Sequence, residues 1–174
     1  LALAGALGNR GQIYAHDVSK LRLAPIFERL QRAGARNVQT RDPETGKLDD
    51  LEGRMDLVFL DVPCSGTGVW RRRPDAKWRL SPEALATRIA EQAGVLDQGA
   101  AYVRPGGRLV YVTCSLFADE NSRQIEAFLA RAPAFAPLTT DRAKGEALTA
   151  VPAREVPFGM VLSPATTGTD GFFV

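Results

Sequence analysis

The sequence predicts an α/β fold built on a mostly parallel sheet with helical crossovers. Two apolar runs, residues 55–60 and 109–112, are short, continuous rather than alternating, and rich in branched or aromatic residues. That is the pattern of strands covered on both faces, as in a parallel sheet. Apolar residues at helical spacing fill the intervals between such runs. The 174 residues are 45% hydrophobic and 24% charged, enough for one domain with a core and incompatible with wholesale disorder.

Taken in order, residues 12–15 and 38–40 read as shorter members of the same sheet. Between them Leu23, Ile26, Phe27 and Leu30 fall at i, i+3, i+4 and i+7, with Ser19 placed to cap a helix and Gly34 to stop it. Ser81-Pro82-Glu83 opens a second helix: a capping hydroxyl, a proline in the first turn, then an acid near the positive end of the dipole. This helix carries Leu85, Ile89 and Leu96 and ends before Pro105-Gly106-Gly107. A third helix is predicted over 119–130, with Ile125, Phe128 and Leu129 inward. Strands alternating with helices favour an open sheet with right-handed crossovers. Beyond it Pro133, Pro137, Pro152, Pro157 and Pro164 interrupt the pattern, so a loop-rich segment is expected, ending in a strand at 172–174. Leu1 enters a helix with no lead-in and Val174 stops inside an apolar strand pattern, so the chain reads as a piece of a longer one.

Composition narrows the function classes. No run of about 18 apolar residues occurs, so neither a membrane-spanning helix nor a membrane partner is predicted. Residues 1–7 are apolar but too short, and lack the basic lead, for a signal peptide. With 2 cysteines the chain builds neither a disulfide framework nor a four-ligand zinc site, so no metal is expected and a reducing, cytoplasmic compartment is. A net charge of +2 is too small for an argument from bulk electrostatics. Any case for nucleic acid must rest on a local cluster.

In an open α/β sheet ligands bind beyond the carboxyl ends of the strands. Asp17 follows the first predicted strand, Asp42 the second, Asp61-Val62-Pro63-Cys64 the third, and Thr113-Cys114-Ser115 the fourth. Three acids and both thiols are therefore expected on one rim. A lone cysteine is ordinarily a small buried hydrophobe, but both of these follow strands directly and have Pro, Ser or Thr neighbours. A redox pair lacks its C-x-x-C spacing, which leaves a nucleophilic thiolate with a second thiol nearby. Ser65-Gly66-Thr67-Gly68 lacks the Lys-Ser/Thr ending of a phosphate loop and reads as a turn. Gly5, Gly8 and Gly11 do not make a dinucleotide fingerprint, and His16 reads as structural.

Arg71, Arg72, Arg73, Lys77 and Arg79 place five cations beside Trp70 and Trp78, with Asp75 the only acid among them. Charge clusters are ordinarily solvated loops. Interleaved tryptophans tilt this one toward RNA or DNA, because rings stack on bases while cations meet phosphates. The loop also begins at Cys64, which puts its ligand near that thiol.

Asp61-Val62-Pro63-Cys64-Ser65-Gly66-Thr67-Gly68, followed by Arg73-Pro74-Asp75 and by Thr113-Cys114-Ser115, resembles the RsmB/Sun (Fmu) family of S-adenosylmethionine-dependent RNA cytosine carbon-5 methyltransferases. His16-Asp17-Val18-Ser19 with Arg22-Leu23, and Thr169-Asp170-Gly171-Phe172-Phe173, extend the resemblance over nearly the whole chain. It implies a Rossmann-like class I methyltransferase sheet, with Asp17 on the ribose hydroxyls of S-adenosylmethionine, Asp42 by the adenine, and Asp61 between its methionine end and the target base. Cys114 would be the nucleophile, and Cys64 would assist the elimination that frees the product. The implied partner is RNA, small-subunit ribosomal RNA ahead of transfer RNA.

One departure matters. Nothing here matches the family's glycine-rich loop after the first strand, and the family's amino-terminal RNA-binding domain has no counterpart. Residues 1–174 are therefore expected to be part of a catalytic domain, truncated at both ends, with an interrupted sheet and weak cofactor binding by themselves. Three other readings stand beside this one. Cys64 would be the nucleophile if the chain worked as DNA cytosine methyltransferases do, although the Thr-Cys-Ser partner argues against it. An RNA-binding module without chemistry would be indifferent to both thiols. A small-molecule methyltransferase would not need the basic loop.

Overall fold

Two pairs of parallel strands carry the architecture in the computed structural model, which describes residues 1–44, 48–139 and 151–174. The chain divides into two units, Leu1–Glu52 and Gly53–Val174.

In the first unit α1 (Ala2–Ala6) precedes β1 (Ile13–His16), α2 (Lys20–Leu23), α3 (Ile26–Arg32) and β2 (Val38–Arg41). β1 and β2 run parallel, with Ile13 opposite Val38 and His16 opposite Arg41. The single helix expected after Ser19 is two, because Pro25 has no N–H with which to continue the ladder. Ser19 does precede α2, but its hydroxyl makes no capping bond; instead its N–H donates to Asp17 Oδ1 at 2.7 Å. Gly34 ends α3 as expected, at φ 61°, where glycine alone carries no steric penalty. Leu23 is buried, whereas Phe27, expected inward with it, is exposed.

The second unit is built on β3 (Met55–Asp61) and β4 (Val103–Val112), parallel and joined by α4 (Pro82–Tyr102). Ser81 caps α4 by accepting the Ala84 N–H at 3.2 Å, with Pro82 in the first turn, as the sequence predicts. The inward stripe of α4 ends in Leu96 and Gly99, and Gly99 lies so near β3 that a Cβ there would meet Leu60 Cδ1 at 2.8 Å. β4 begins earlier than expected. Pro105-Gly106-Gly107 lies within it as an irregularity, with Gly106 at φ 75° and the register broken between Met55 and Leu57. After β4 a turn of 3-10 helix, Ala118–Glu120, precedes α5 (Ser122–Arg131), so the predicted third helix starts a turn late. Leu96, Tyr111, Phe128, Val161 and Phe173 form the core with Val62, and Ile125 and Leu129 pack against it.

The carboxyl segment holds more than its predicted last strand. β5 (Arg154–Val156), β6 (Gly159–Leu162), α6 (Pro164–Thr167) and β7 (Phe172–Phe173) follow, the three strands forming an antiparallel sheet. β5 and β6 are too short to show a period, and prolines flank both. Phe173 and Thr113 exchange backbone hydrogen bonds at 3.1 and 3.0 Å, so β7 grips the chain where it leaves β4.

Parallel strands with helical crossovers bear out the α/β prediction. β1 pairs with β2 within the first unit, and β3 pairs with β4 within the second. The double cover expected for β3 is half met: α4 packs on the Leu60 side, while Leu57 and Phe59 stand exposed on the other. Among the described residues no helix is long and apolar enough to cross a membrane, and no group of three metal-ligating side chains gathers.

Candidate active site

Because β3 and β4 are parallel, they finish at the same edge, Asp61 opposite Val112. The ladder runs one residue further, the Val62 N–H donating to Val112 O at 3.1 Å. Two residues beyond each of those stands a cysteine. Cys64 Sγ and Cys114 Sγ are 3.2 Å apart, both thiols free and half-buried. The backbone holds them there from both sides. Thr113 is fully buried and pinned to Phe173, and Cys114 O accepts the Gly68 N–H at 2.9 Å. The turn expected over Ser65–Gly68 thus folds over Cys114.

This contact makes the sulfurs unequal. With the Cys64 S–H donating to it, Cys114 is pulled down to about 7, although burial and the charges of Asp61 and Glu120 oppose the drop. The same hydrogen bond, joined by burial and the charge on Cys114, pushes Cys64 up. Cys114 is the thiolate near neutral pH and Cys64 its donor.

Below the sulfurs lies a buried polar layer that the sequence reading missed. Glu120, Gln92, Thr113, Ser115, Asn121 and Gln124 are all buried. Thr113 Oγ1 donates to Asn121 Oδ1 at 2.6 Å, and Asn121 Nδ2 donates to Ser115 O at 2.9 Å. Gln92 Nε2 donates to Pro63 O at 2.9 Å and to Glu120 Oε1 at 3.0 Å. One signal was available: Gln92 occupies the apolar stripe of α4 between Ile89 and Leu96, where an amide needs buried partners.

The other predicted residues divide between the units. Asp61 ends β3, is exposed, and belongs to the rim that carries the thiols. Asp17 and Asp42 follow β1 and β2 in the first unit. Asp17 Oδ1 accepts the Ser19 N–H, while Asp42 accepts the Glu44 N–H at 2.8 Å and pairs with Lys20 Nζ at 3.1 Å. Lys20, Leu23, Ala24, Phe27, Thr40 and Asp42 line an open depression there. His16 is on the same edge, its Nδ1 3.3 Å from Arg41 O.

The basic loop is less free than its sequence suggests. Arg71 and Arg72 both reach Asp170, at 3.1 and 2.6 Å, and Arg79 pairs with Asp75 at 2.5 Å. Asp170 is remote in sequence, so counting acids within the loop misses it. Lys77 Nζ stands 6.0 Å from the Trp70 ring centre and 5.5 Å from that of Trp78. Trp70 is half-buried and packs edge-on against Phe117 at 6.5 Å. The cations of the loop are all exposed, and Trp78 faces solvent openly at 81% exposure.

Parallel strands joined by a helical crossover and ending in paired thiols and an acid define an α/β protein with its site at the strand ends. The crystal structure of a methyltransferase homolog protein from Pyrococcus horikoshii matches it with a TM-score of 0.72 at 29% identity, covering 98% of this chain and 54% of that one. The model of the 16S rRNA methyltransferase RsmB/F family matches residues 2–174, and the chain belongs to that family. Ribosomal RNA small subunit methyltransferase B of Klebsiella pneumoniae (strain 342) is 39% identical over 125 residues, 71% of this chain and 29% of that protein. The protein of that name from Cronobacter sakazakii is 34% identical over 165 residues, 94% of this chain and 36% of its own length. The chain thus spans about a third of the curated relatives it matches.

Proposed function

We propose that the full-length protein carrying this chain methylates carbon-5 of a cytosine in RNA, small-subunit ribosomal RNA in particular, through a covalent adduct on Cys114. The observation that carries this reading is the 3.2 Å separation of two free thiols at the ends of neighbouring parallel strands. Membership of the RsmB/F family supports it.

Carbon-5 of cytosine is a poor nucleophile inside an aromatic ring. Addition of the Cys114 thiolate at carbon-6 breaks the aromaticity and leaves an enamine that is nucleophilic at carbon-5. An acid beside the ring favours the charge shift of that addition, the role assigned to Asp61. Cys64 acts late. Once the Cys114 sulfur is bonded to carbon it is no longer a thiolate, so the hydrogen bond and charge that hold Cys64 up are gone. Cys64 then gives up its own proton to solvent more readily, and as a thiolate it is placed to take the carbon-5 proton as the Cys114–carbon bond breaks and the product leaves.

The chemistry of the side chains fits S-adenosylmethionine, which when bound supplies an electrophilic methyl group. Asp17, half-buried at the tip of β1, is assigned to the ribose hydroxyls; Asp42, beside the apolar Leu23 and Phe27 wall, to the adenine. Trp70, Arg71, Arg72, Arg73, Lys77 and Arg79 are assigned to the RNA. A target base must be unstacked to reach a thiol in this position, which suits a single-stranded or flipped nucleotide.

The test exchanges each thiol in the full-length protein and follows covalent protein–RNA adduct on denaturing gels. Cys114→Ser should abolish the adduct and methylation together, while Cys64→Ser should let the adduct accumulate. Adduct lost with Cys64 and retained without Cys114 would reverse the roles. RNA affinity indifferent to both, with no methylation by the wild type, would leave only a binding module.

A further inference from the structure

Glu120 is fully buried, and nothing in the chemistry above requires it. Its carboxylate accepts four hydrogen bonds: at Oε1 from the Ser65 N–H at 2.7 Å and Gln92 Nε2 at 3.0 Å, and at Oε2 from the hydroxyls of Ser65 and Ser115, each at 2.5 Å. Ser65 directly follows Cys64, and Ser115 directly follows Cys114. One carboxylate therefore binds the residues next to both thiols, although the two loops lie 50 residues apart in sequence. Its own backbone is fixed as well, since Tyr111 OH donates to Glu120 O at 2.7 Å. Gln92 completes the frame from α4, holding Glu120 with one bond and Pro63, the neighbour of Cys64 on its other side, with a second.

Burying a carboxylate is costly, and it is tolerated only where its oxygens are fully satisfied by donors. Here an acceptor-only group collects four donors from three separate segments. An apolar residue at this position would fill the space, but it would leave two hydroxyls, a backbone N–H and an amide competing for partners.

We propose that Glu120 is the positioning residue of the thiol pair, fixing the Sγ–Sγ separation by holding Ser65 and Ser115 on a single carboxylate. It touches no reacting atom. Its consequence for catalysis rests on the function proposed above; its consequence for thiol geometry does not. Without the tie the loops stay joined by the Gly68 N–H to Cys114 O bond, but the sulfurs are no longer held against each other: Cys114 loses its S–H donor, whose pull outweighs the opposing charge of Glu120, and thiolate forms only at higher pH.

The test uses full-length protein and a chemistry independent of RNA and cofactor. Glutathione disulfide oxidises the pair: Cys114 thiolate attacks a glutathione sulfur and releases one glutathione. Cys64 then attacks the mixed disulfide, loses its proton to solvent and releases the second, leaving Cys64–Cys114 joined. The rate of this closing step, read by intact mass, reports how near the sulfurs are held. Glu120→Ala should slow it by about tenfold or more and raise the pH midpoint of Cys114 alkylation by about one unit. Glu120→Gln should restore both to within about twofold or threefold, because its carbonyl accepts from Ser65 N–H and Gln92 while its amide donates to the two hydroxyls.

A folded Glu120→Ala protein that closes at the wild-type rate, with its alkylation profile unmoved, overturns the proposal. Should Glu120→Ala fail to fold, the same criterion applies to Ser65→Ala/Ser115→Ala, which removes both hydroxyl ties and keeps the carboxylate. A wild-type protein that closes its disulfide quickly but never forms an RNA adduct defeats the functional reading alone.

Discussion

The Gly171 N–H donates to Gly68 O at 2.9 Å, and the two backbones are so close that a Cβ on Gly68 would stand 2.1 Å from Gly171 O. This contact joins the loop that follows Cys64 to the turn that enters β7. Gly68 also donates its N–H to Cys114 O. Its lack of a side chain is thus required for packing rather than for dihedral freedom. Gly68→Ala should cost about 1–3 kcal/mol, the range for overpacking a tight site. It should also disturb both thiols. Urea denaturation of the mutant and wild-type proteins checks the first, and thiol alkylation rates check the second. A loss below about 0.5 kcal/mol would mean that the two loops part without penalty.

The shared proton of the thiol pair has a pH signature. Cys114 is lowered to about 7 chiefly by the Cys64 S–H, so its thiolate is mostly absent below that pH and mostly present above it. The rate of Cys114 alkylation by iodoacetamide should therefore rise with a midpoint near that value. Cys64→Ala removes the donor that lowers Cys114 and leaves the burial that raises it, so the neutral thiol is favoured. The midpoint should move up, to about 8.5 or higher. An unchanged midpoint in Cys64→Ala would show that something other than the neighbouring thiol activates Cys114.

The basic loop makes a prediction with two arms. Arg73 and Lys77 carry no ion pair among those found in the described residues, in contrast to Arg71, Arg72 and Arg79. Each of Arg73→Ala and Lys77→Ala should weaken single-stranded RNA binding similarly for all sequences and reduce the salt slope by about 0.7. Trp78 is exposed, and Trp78→Ala should cost about 1–3 kcal/mol of RNA affinity through lost stacking. Trp70 packs on Phe117, so Trp70→Ala should lower thermal stability more than Trp78→Ala does. Filter-binding titrations over a salt series, paired with thermal melts, separate the arms. If the two tryptophans behaved alike in both assays, the loop would not divide into a packed and a binding ring.

Local patterns in this sequence proved readable, and distant pairings did not. Asp61, Cys64 and Cys114 were placed on a strand-end rim because parallel strands finish at one edge, and continuous apolar runs mark such strands. The start of α4 at Ser81-Pro82-Glu83 was readable because a cap is a property of adjacent residues. Glu120 was not: as a residue just before Asn121 it looks like an ordinary first-turn acid, and although Ser115 is near, its partners Gln92 and Ser65 come from 28 and 55 residues away in the chain. Asp170 likewise neutralises Arg71 and Arg72 from across the fold. The single helix expected through Pro25 fails for a local reason, since apolar spacing continues across a proline that cannot donate to the helical ladder.

Cofactor affinity supplies the last prediction. The residues assigned to S-adenosylmethionine in the first unit, Asp17 and Asp42, address its adenosine part, and no stretch of 1–174 matches the family's glycine-rich loop for the methionine part. Two carboxylates of this kind orient a ligand more than they bind it, and Asp42 is already engaged with Lys20 at 3.1 Å. A polypeptide of residues 1–174 should therefore bind S-adenosylmethionine with a dissociation constant above about 0.1 mM, or less than about 5.5 kcal/mol of binding free energy. Asp17→Ala should change that weak binding little. Isothermal titration calorimetry decides: micromolar affinity in this polypeptide, lost in Asp17→Ala, would show that the residues present already form a working cofactor site.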